Sequence, residues 1–103
     1  MTSSPPELFG ELEKRYREVI EQTEEEFTSH EFIEKLSQME QTIYVQLLSA
    51  YNEKGQPFQS VHSVIAKRLK NNWKHLVHDV DTDTKSENIF GNYNSAAVWH
   101  KVK

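Results

Sequence analysis

The sequence predicts one small all-α domain, residues 1–103, built from four main helices with an irregular C-terminal segment. Apolar residues recur at the spacing of a buried helix face through most of the first 80 positions. A helix-start signature occupies residues 28–31, and a helix-stop signature follows residue 54. A chain of 103 residues can bury a core, although the margin is thin for so short a chain.

The first helix is expected over residues 6–25, after a frayed lead-in at residues 1–5. Pro5 or Pro6 suits the first turn, because the N–H group that proline lacks would have no partner there. The apolar face of this helix repeats at helical spacing and comprises Leu8, Leu12, Tyr16, Val19 and Ile20.

The second helix is expected over residues 29–37, and its start is well marked. Thr28 and Glu31 have the spacing of a capping box, in which each side chain bonds the backbone N–H of the other residue. Phe27 and Phe32 have the spacing of a hydrophobic staple. The third helix is expected over residues 40–54, since Gly55 suits a C-terminal cap and Pro57 prevents simple continuation.

The fourth helix is expected over residues 60–79, because one apolar stripe continues without a break. Its members step by three or four residues: Val61, Ile65, Leu69, Trp73, Leu76 and Val80. The same segment resembles a helix-turn-helix at Ile65, Ala66, Leu69 and Leu76, but the turn positions hold Lys70 and Asn71. One continuous helix is the preferred interpretation, and a helix-turn-helix stays open.

The C-terminal quarter changes character after residue 80. Residues 81–94 are rich in Asp, Asn, Ser and Thr, which is typical of loops. The tail at residues 95–103 suits either a short helix or a strand of a β-wing, and we prefer the helix.

Charge is unevenly distributed along the chain. Residues 1–53 carry twelve acidic residues and four Lys or Arg, whereas residues 54–78 carry five Lys or Arg and no acidic residue. The net charge of the whole chain is −4. Such separation can mark an interaction surface. The simpler expectation is that the acidic first half packs against the basic segment.

The basic segment is the candidate nucleic-acid site, because phosphate groups are neutralised by Lys and Arg. The residues assigned to it are Lys67, Arg68, Lys70, Trp73, Lys74 and His75, with Trp73 placed to stack on a base. Residues 86–103 would form the wing of a winged-helix arrangement. The overall acidity of the chain opposes this interpretation, and the preferred one places Trp73 in the core.

No catalytic, metal or cofactor site is predicted. His75 and His78 share a spacing that suits a metal, but neither a His-Glu-x-x-His pattern nor a calcium loop is present. The chain has no cysteine nucleophile, phosphate-binding glycine loop or nucleophile elbow.

The predicted function is therefore a non-enzymatic interaction domain that binds another protein or a second copy of itself. Tyr93 and Trp99 are its candidate anchors, since aromatic residues are dense in this short chain. A small nucleic-acid-binding domain that uses residues 54–78 is the alternative. The cysteine-free sequence, which lacks a signal peptide and a membrane span, favours the cytoplasm.

Overall fold

The computed structural model describes the backbone of residues 4–87 and 93–102, and the side chains of residues 4–53, 55–79 and 97–102. These residues form five α-helices and three strands in the order α1 Pro5–Glu13, α2 Tyr16–Gln22, β1 Glu26–Thr28, α3 Ser29–Met39, α4 Gln41–Tyr51, α5 Pro57–Asn72, β2 Val77–Glu87 and β3 Tyr93–Lys101. The described chain is thus mostly helical, but a small antiparallel sheet corrects the all-α prediction.

The expected first helix is two helices, separated by a turn at residues 14–15. The amide of Arg15 donates to the carbonyl oxygen of Leu12 at 2.9 Å, and α2 begins one residue later. The apolar spacing crosses this turn unchanged, so periodicity alone does not reveal it. Thr23 ends α2 in an extended conformation, and its hydroxyl donates to the carbonyl oxygen of Ile20 at 2.7 Å.

The predicted start of α3 is confirmed. The Thr28 hydroxyl accepts from the Glu31 amide at 3.2 Å, and the Thr28 amide donates to the Glu31 carboxylate at 3.3 Å. The rings of Phe27 and Phe32 stack with their centroids 6.1 Å apart. Residues just before the helix form β1, a strand that the sequence did not predict.

The predicted stop at Gly55 is also confirmed. A short 3-10 helix at Asn52–Lys54 extends α4, and Gly55 follows it with a φ of 92°. This left-handed conformation strains residues that carry a Cβ, which explains the glycine. Pro57 then occupies the first turn of α5.

The fourth helix is shorter than predicted, and the helix-turn-helix alternative is wrong. α5 ends at Asn72, the amides of Leu76 and Val77 bond the carbonyl oxygen of Trp73 in a turn, and Val77 starts β2. A strand therefore stands where either interpretation required a helix. The apolar stripe beyond Leu69 matches helical spacing, but pairing with β3, distant in sequence, decides the conformation.

The sheet has the order β1-β3-β2, and all of its pairings are antiparallel. Residues 95–101 of the expected tail lie in β3, so the strand alternative is the observed one there, and residue 103 lies outside the described part of the chain. Part of the expected loop at 81–94 lies in β2 and β3, whose register shifts between Asp79 and Asp81 and again before Thr84. Residues 88–92 of that predicted loop lie outside the described part of the chain.

One apolar core joins the helices to the inner face of the sheet. Its fully buried members come from all five helices and from strands β1 and β2, and include Leu12, Tyr16, Val19, Phe27, Phe32, Leu36, Leu47, Val61, Ile65, Leu69 and Val77. The Tyr16 hydroxyl donates to the carbonyl oxygen of Ile65 at 2.9 Å and so ties α2 to α5. This packing fixes which face of α5 points outward.

Candidate nucleic-acid interface

One face of α5 is buried and the opposite face is exposed. Val61, Ile65 and Leu69 are at most 1% exposed and face the core. The exposed face is polar, and we call it the outer stripe: Gln59, Ser63, Lys67, Lys70, Asn71 and, in the following turn, Lys74. Gln59, Ser63, Lys67 and Asn71 are spaced four residues apart, so their side chains lie on one face along the helix. The stripe contains three lysines, three hydrogen-bonding side chains and no acidic residue.

The three lysines of the outer stripe are available to a ligand. Among the described residues, neither Lys67 nor Lys74 has an ion-pair partner, and both are exposed. The Lys70 ammonium lies 3.9 Å from a carboxylate oxygen of Asp79, and its side chain is 59% exposed. An exposed pair at this distance contributes little, so a phosphate can replace the carboxylate.

Arg68 belongs to the packing of α5 rather than to the outer stripe. Its guanidinium donates to the Glu13 carboxylate at 3.1 Å and lies 5.4 Å from the centre of the Phe9 ring. The Asn72 amide donates to the same carboxylate oxygen at 3.0 Å. Glu13 therefore fastens the C-terminal half of α5 to α1, and the charge of Arg68 is neutralised inside the domain.

Trp73 packs against the protein at the end of α5. Its ring is half-buried, lies 5.6 Å from the Tyr16 ring and stacks on His75 at 5.5 Å. The indole Nε1 is buried without a hydrogen-bond partner among the described residues. These contacts give the ring a structural role, so base stacking by Trp73 receives no support from its position.

The structure thus divides the six predicted residues into two groups. Lys67, Lys70 and Lys74 share the exposed side, with His75 beside them, whereas Arg68 and Trp73 turn toward the domain. The sequence interpretation missed the uncharged members of the outer stripe: Gln59, Ser63 and Asn71. Their spacing from Lys67, opposite the apolar stripe, is the signal that would have found them.

The two candidate protein-binding anchors have different positions. The Trp99 side chain is 3% exposed, and its indole N–H donates to the Ser29 hydroxyl at 2.8 Å. It is a core residue rather than an exposed anchor. The backbone of Tyr93 starts β3, opposite Glu87, while its side chain lies outside the described part.

His62 and Tyr44 form a polar pair on the side of α5 that packs against α4. The Tyr44 hydroxyl and His62 Nε2 share a hydrogen bond of 2.5 Å, and the two rings stack. Burial, together with the charge of His30, lowers the pKa of His62 to about 4. Burial raises the pKa of Tyr44 to about 12. Both groups are therefore neutral near pH 7, which suits a structural pair.

Within residues 4–87 and 93–102, no helix is long and apolar enough to cross a membrane. In the same residues, no group of three or more His, Asp or Glu side chains is arranged to hold a metal ion. Comparison with known proteins gives no match to a protein-family model, a curated protein or a solved structure.

Proposed function

We propose that this domain binds duplex DNA through the outer stripe of α5 and catalyses no reaction. The observation that carries the proposal is the composition of that stripe: it combines three exposed lysines with Gln59, Ser63 and Asn71 and contains no acidic residue. Lysine neutralises phosphate, and amide and hydroxyl side chains form hydrogen bonds with base edges. A helix of 16 residues is about 24 Å long and fits the major groove.

The net negative charge of the chain does not oppose this contact as strongly as composition suggests. Exposed charges separated by more than about 10 Å are largely screened in 0.1 M salt. The charges within that range of a bound phosphate therefore matter most. Residues 54–78 contain only positive charges, and the acidic side chains that the structure shows in ion pairs with this segment, Glu13 and Asp79, contact Arg68 and Lys70.

The order of elements supports the winged-helix form of the proposal in outline. A hairpin of β2 and β3 follows α5, and its second strand, β3, also pairs with β1. The hairpin starts at Val77, whereas the predicted wing starts at residue 86. The sequence of β2 contains four acidic residues and one lysine. The excess of negative charge on β2 would repel the phosphate groups of DNA. We therefore assign DNA contact to α5 and the following turn, and none to β2.

Fluorescence anisotropy with a labelled 20-base-pair duplex at low salt tests the proposal. The variants Lys67→Gln, Lys70→Gln and Lys74→Gln each remove one charge from the outer stripe. Each should weaken binding several-fold, because each removes one phosphate contact. Arg17→Gln is the matched control, since Arg17 is an exposed cation on α2 and the change in net charge is equal.

Two results would overturn the proposal. One is the absence of duplex binding by the wild-type domain at low salt. The other is an equal loss of affinity in Arg17→Gln and in the lysine variants, which would show that net charge alone is sensed. Tighter binding to a single strand of the same length would reassign the site to single-stranded nucleic acid.

Protein association is the second candidate function, and it is supported less specifically. The exposed large apolar side chains of the described residues are Val45, Phe58 and Val102, which lie on three different segments. Single exposed apolar residues are ordinary on protein surfaces. We retain association with a protein or a second copy as a proposal, together with a cytoplasmic location, which a cysteine-free chain suits.

A further inference from the structure

Two histidines and a glutamate form a row across the outer face of the sheet. His78 of β2 lies directly opposite His100 of β3, and His100 lies directly opposite Glu26 of β1. Directly opposed residues in antiparallel strands project from the same face of the sheet. The neighbouring row, which contains Phe27 and Trp99, faces the core, so the row with the histidines faces outward.

The side chains of this row are already close to one another. The imidazole rings of His78 and His100 have centroids 5.9 Å apart. Nε2 of His100 lies 2.8 Å from a carboxylate oxygen of Glu26. The row lines an open cleft of about 530 Å³, together with Glu25, Lys101 and Val102. The function proposed above uses none of these residues.

The distance between the rings suits two ligands of one metal ion. A Zn–N bond of about 2.0–2.1 Å places two coordinating imidazole centroids on the order of 5 to 6 Å apart. A carboxylate that accepts the N–H of one ring nitrogen fixes the ring and leaves the other nitrogen for the metal. Glu26 has this position relative to His100.

We propose that His78 and His100 chelate a divalent transition-metal ion of the zinc class, with Glu26 orienting His100. Imidazole is a preferred ligand of zinc, copper and nickel, whereas magnesium and calcium prefer oxygen ligands. No group of three or more described His, Asp or Glu side chains is arranged to hold a metal ion, so the two imidazoles are the proposed protein ligands and water would complete the coordination. His78 is exposed, so its ring can turn toward the metal. The bound ion links β2 to β3.

Titration with Zn²⁺ at pH 7.5, followed by calorimetry and by the imidazole NMR signals, tests the site. In the wild-type protein, the signals of His78 and His100 should shift together, and the melting temperature should rise with Zn²⁺ concentration. His78→Gln and His100→Gln should each raise the dissociation constant for Zn²⁺ at least about tenfold, because a single imidazole lacks the advantage of chelation. Glu26→Gln should raise the dissociation constant for Zn²⁺ by about tenfold or less, since the Glu26 side chain is largely exposed.

His75→Gln is the matched control, because His75 is an exposed histidine close in sequence but outside the row. It should bind Zn²⁺ as the wild type does, and far-UV circular dichroism checks that each variant is folded. The absence of any His78 or His100 shift at millimolar Zn²⁺ would overturn the proposal. Equal affinity in the wild type and in the His78→Gln and His100→Gln variants would also overturn it. These outcomes are independent of DNA binding, which is measured without metal.

Discussion

At the scale of single residues, buried polar side chains with partners far away in sequence hold the elements together. Trp99 illustrates this best, because its indole N–H reaches the Ser29 hydroxyl across 70 positions of sequence. Both side chains are buried, at 3% and 7% exposure, so water cannot replace a lost partner. This contact joins the last strand to the first turn of α3.

Replacing Ser29 with alanine should destabilise the domain by about 1–3 kcal/mol, because the Trp99 N–H is left buried without an acceptor. Urea denaturation followed by tryptophan fluorescence measures the free energy of unfolding. Ser49→Ala, at an exposed position of α4, is the control and should change that free energy by less than about 0.5 kcal/mol. Equal effects in the two variants would contradict the contribution assigned to the hydrogen bond between Trp99 and Ser29.

His62 makes stability depend on pH. Its pKa is about 4 in the folded state, lowered mainly by burial, while an unfolded histidine titrates near 6.5. Between these values the unfolded chain binds more protons than the folded protein. The contribution of His62 is therefore fully present above pH 6.5 and is lost as the pH falls toward 4.

His62→Gln should reduce the loss of stability between pH 7 and pH 5, because glutamine does not titrate and can still bond Tyr44. The expected difference is on the order of 1 kcal/mol, allowing for solvent screening at this half-buried position. Urea denaturation at the two pH values measures it. A loss of stability that is the same in the variant and in the wild type would show that other groups cause it.

At the scale of elements, the sequence marks the helix ends that depend on neighbouring residues, but it does not mark the strands that depend on pairing with distant ones. The capping box at Thr28 and the glycine cap at Gly55 act within a few residues, and both are confirmed. The end of α5 and the identity of β2 depend on pairing with β3. A stripe such as Leu69, Trp73 and Leu76 fits helical spacing even where the chain leaves the helix, so periodicity overextends the prediction.

Thr28→Ala should destabilise the domain by about 1 kcal/mol, because α3 loses a side-chain acceptor at its first turn. Thr42→Ala is the control, since Thr42 is exposed near the start of α4, where no side chain caps the helix. Thermal or urea denaturation compares the two. If both variants lose the same stability, the capping box does not contribute as described.

The sequence predicted only the part of the candidate site that depends on local pattern, because contacts between distant residues are not visible in it. The acid-free run that contains Lys67, Lys70 and Lys74 is visible in the sequence alone. That Arg68 turns toward Glu13 on α1 is not, because the two residues are 55 positions apart. The density of aromatic residues likewise could not show whether Trp99 is an anchor or a core residue, since its partner Ser29 is distant.

At the scale of the whole molecule, the separation of charge along the sequence persists in three dimensions. The acidic first half does meet the basic segment, but the described contact is a single ion pair, between Glu13 and Arg68, with Asn72 beside it. Lys67 and Lys74 remain unpaired among the described residues. The domain is acidic overall and yet presents one exposed basic face along α5, which is the central claim for its function.

The salt dependence of duplex binding tests that claim most directly. If Lys67, Lys70 and Lys74 each contact one phosphate, the logarithm of the association constant should fall against the logarithm of salt concentration with a slope of about −2.7. Removing all three lysines should leave a slope near zero, whereas Arg17→Gln should keep the wild-type slope. A triple variant that binds duplex DNA with the wild-type slope would contradict the account.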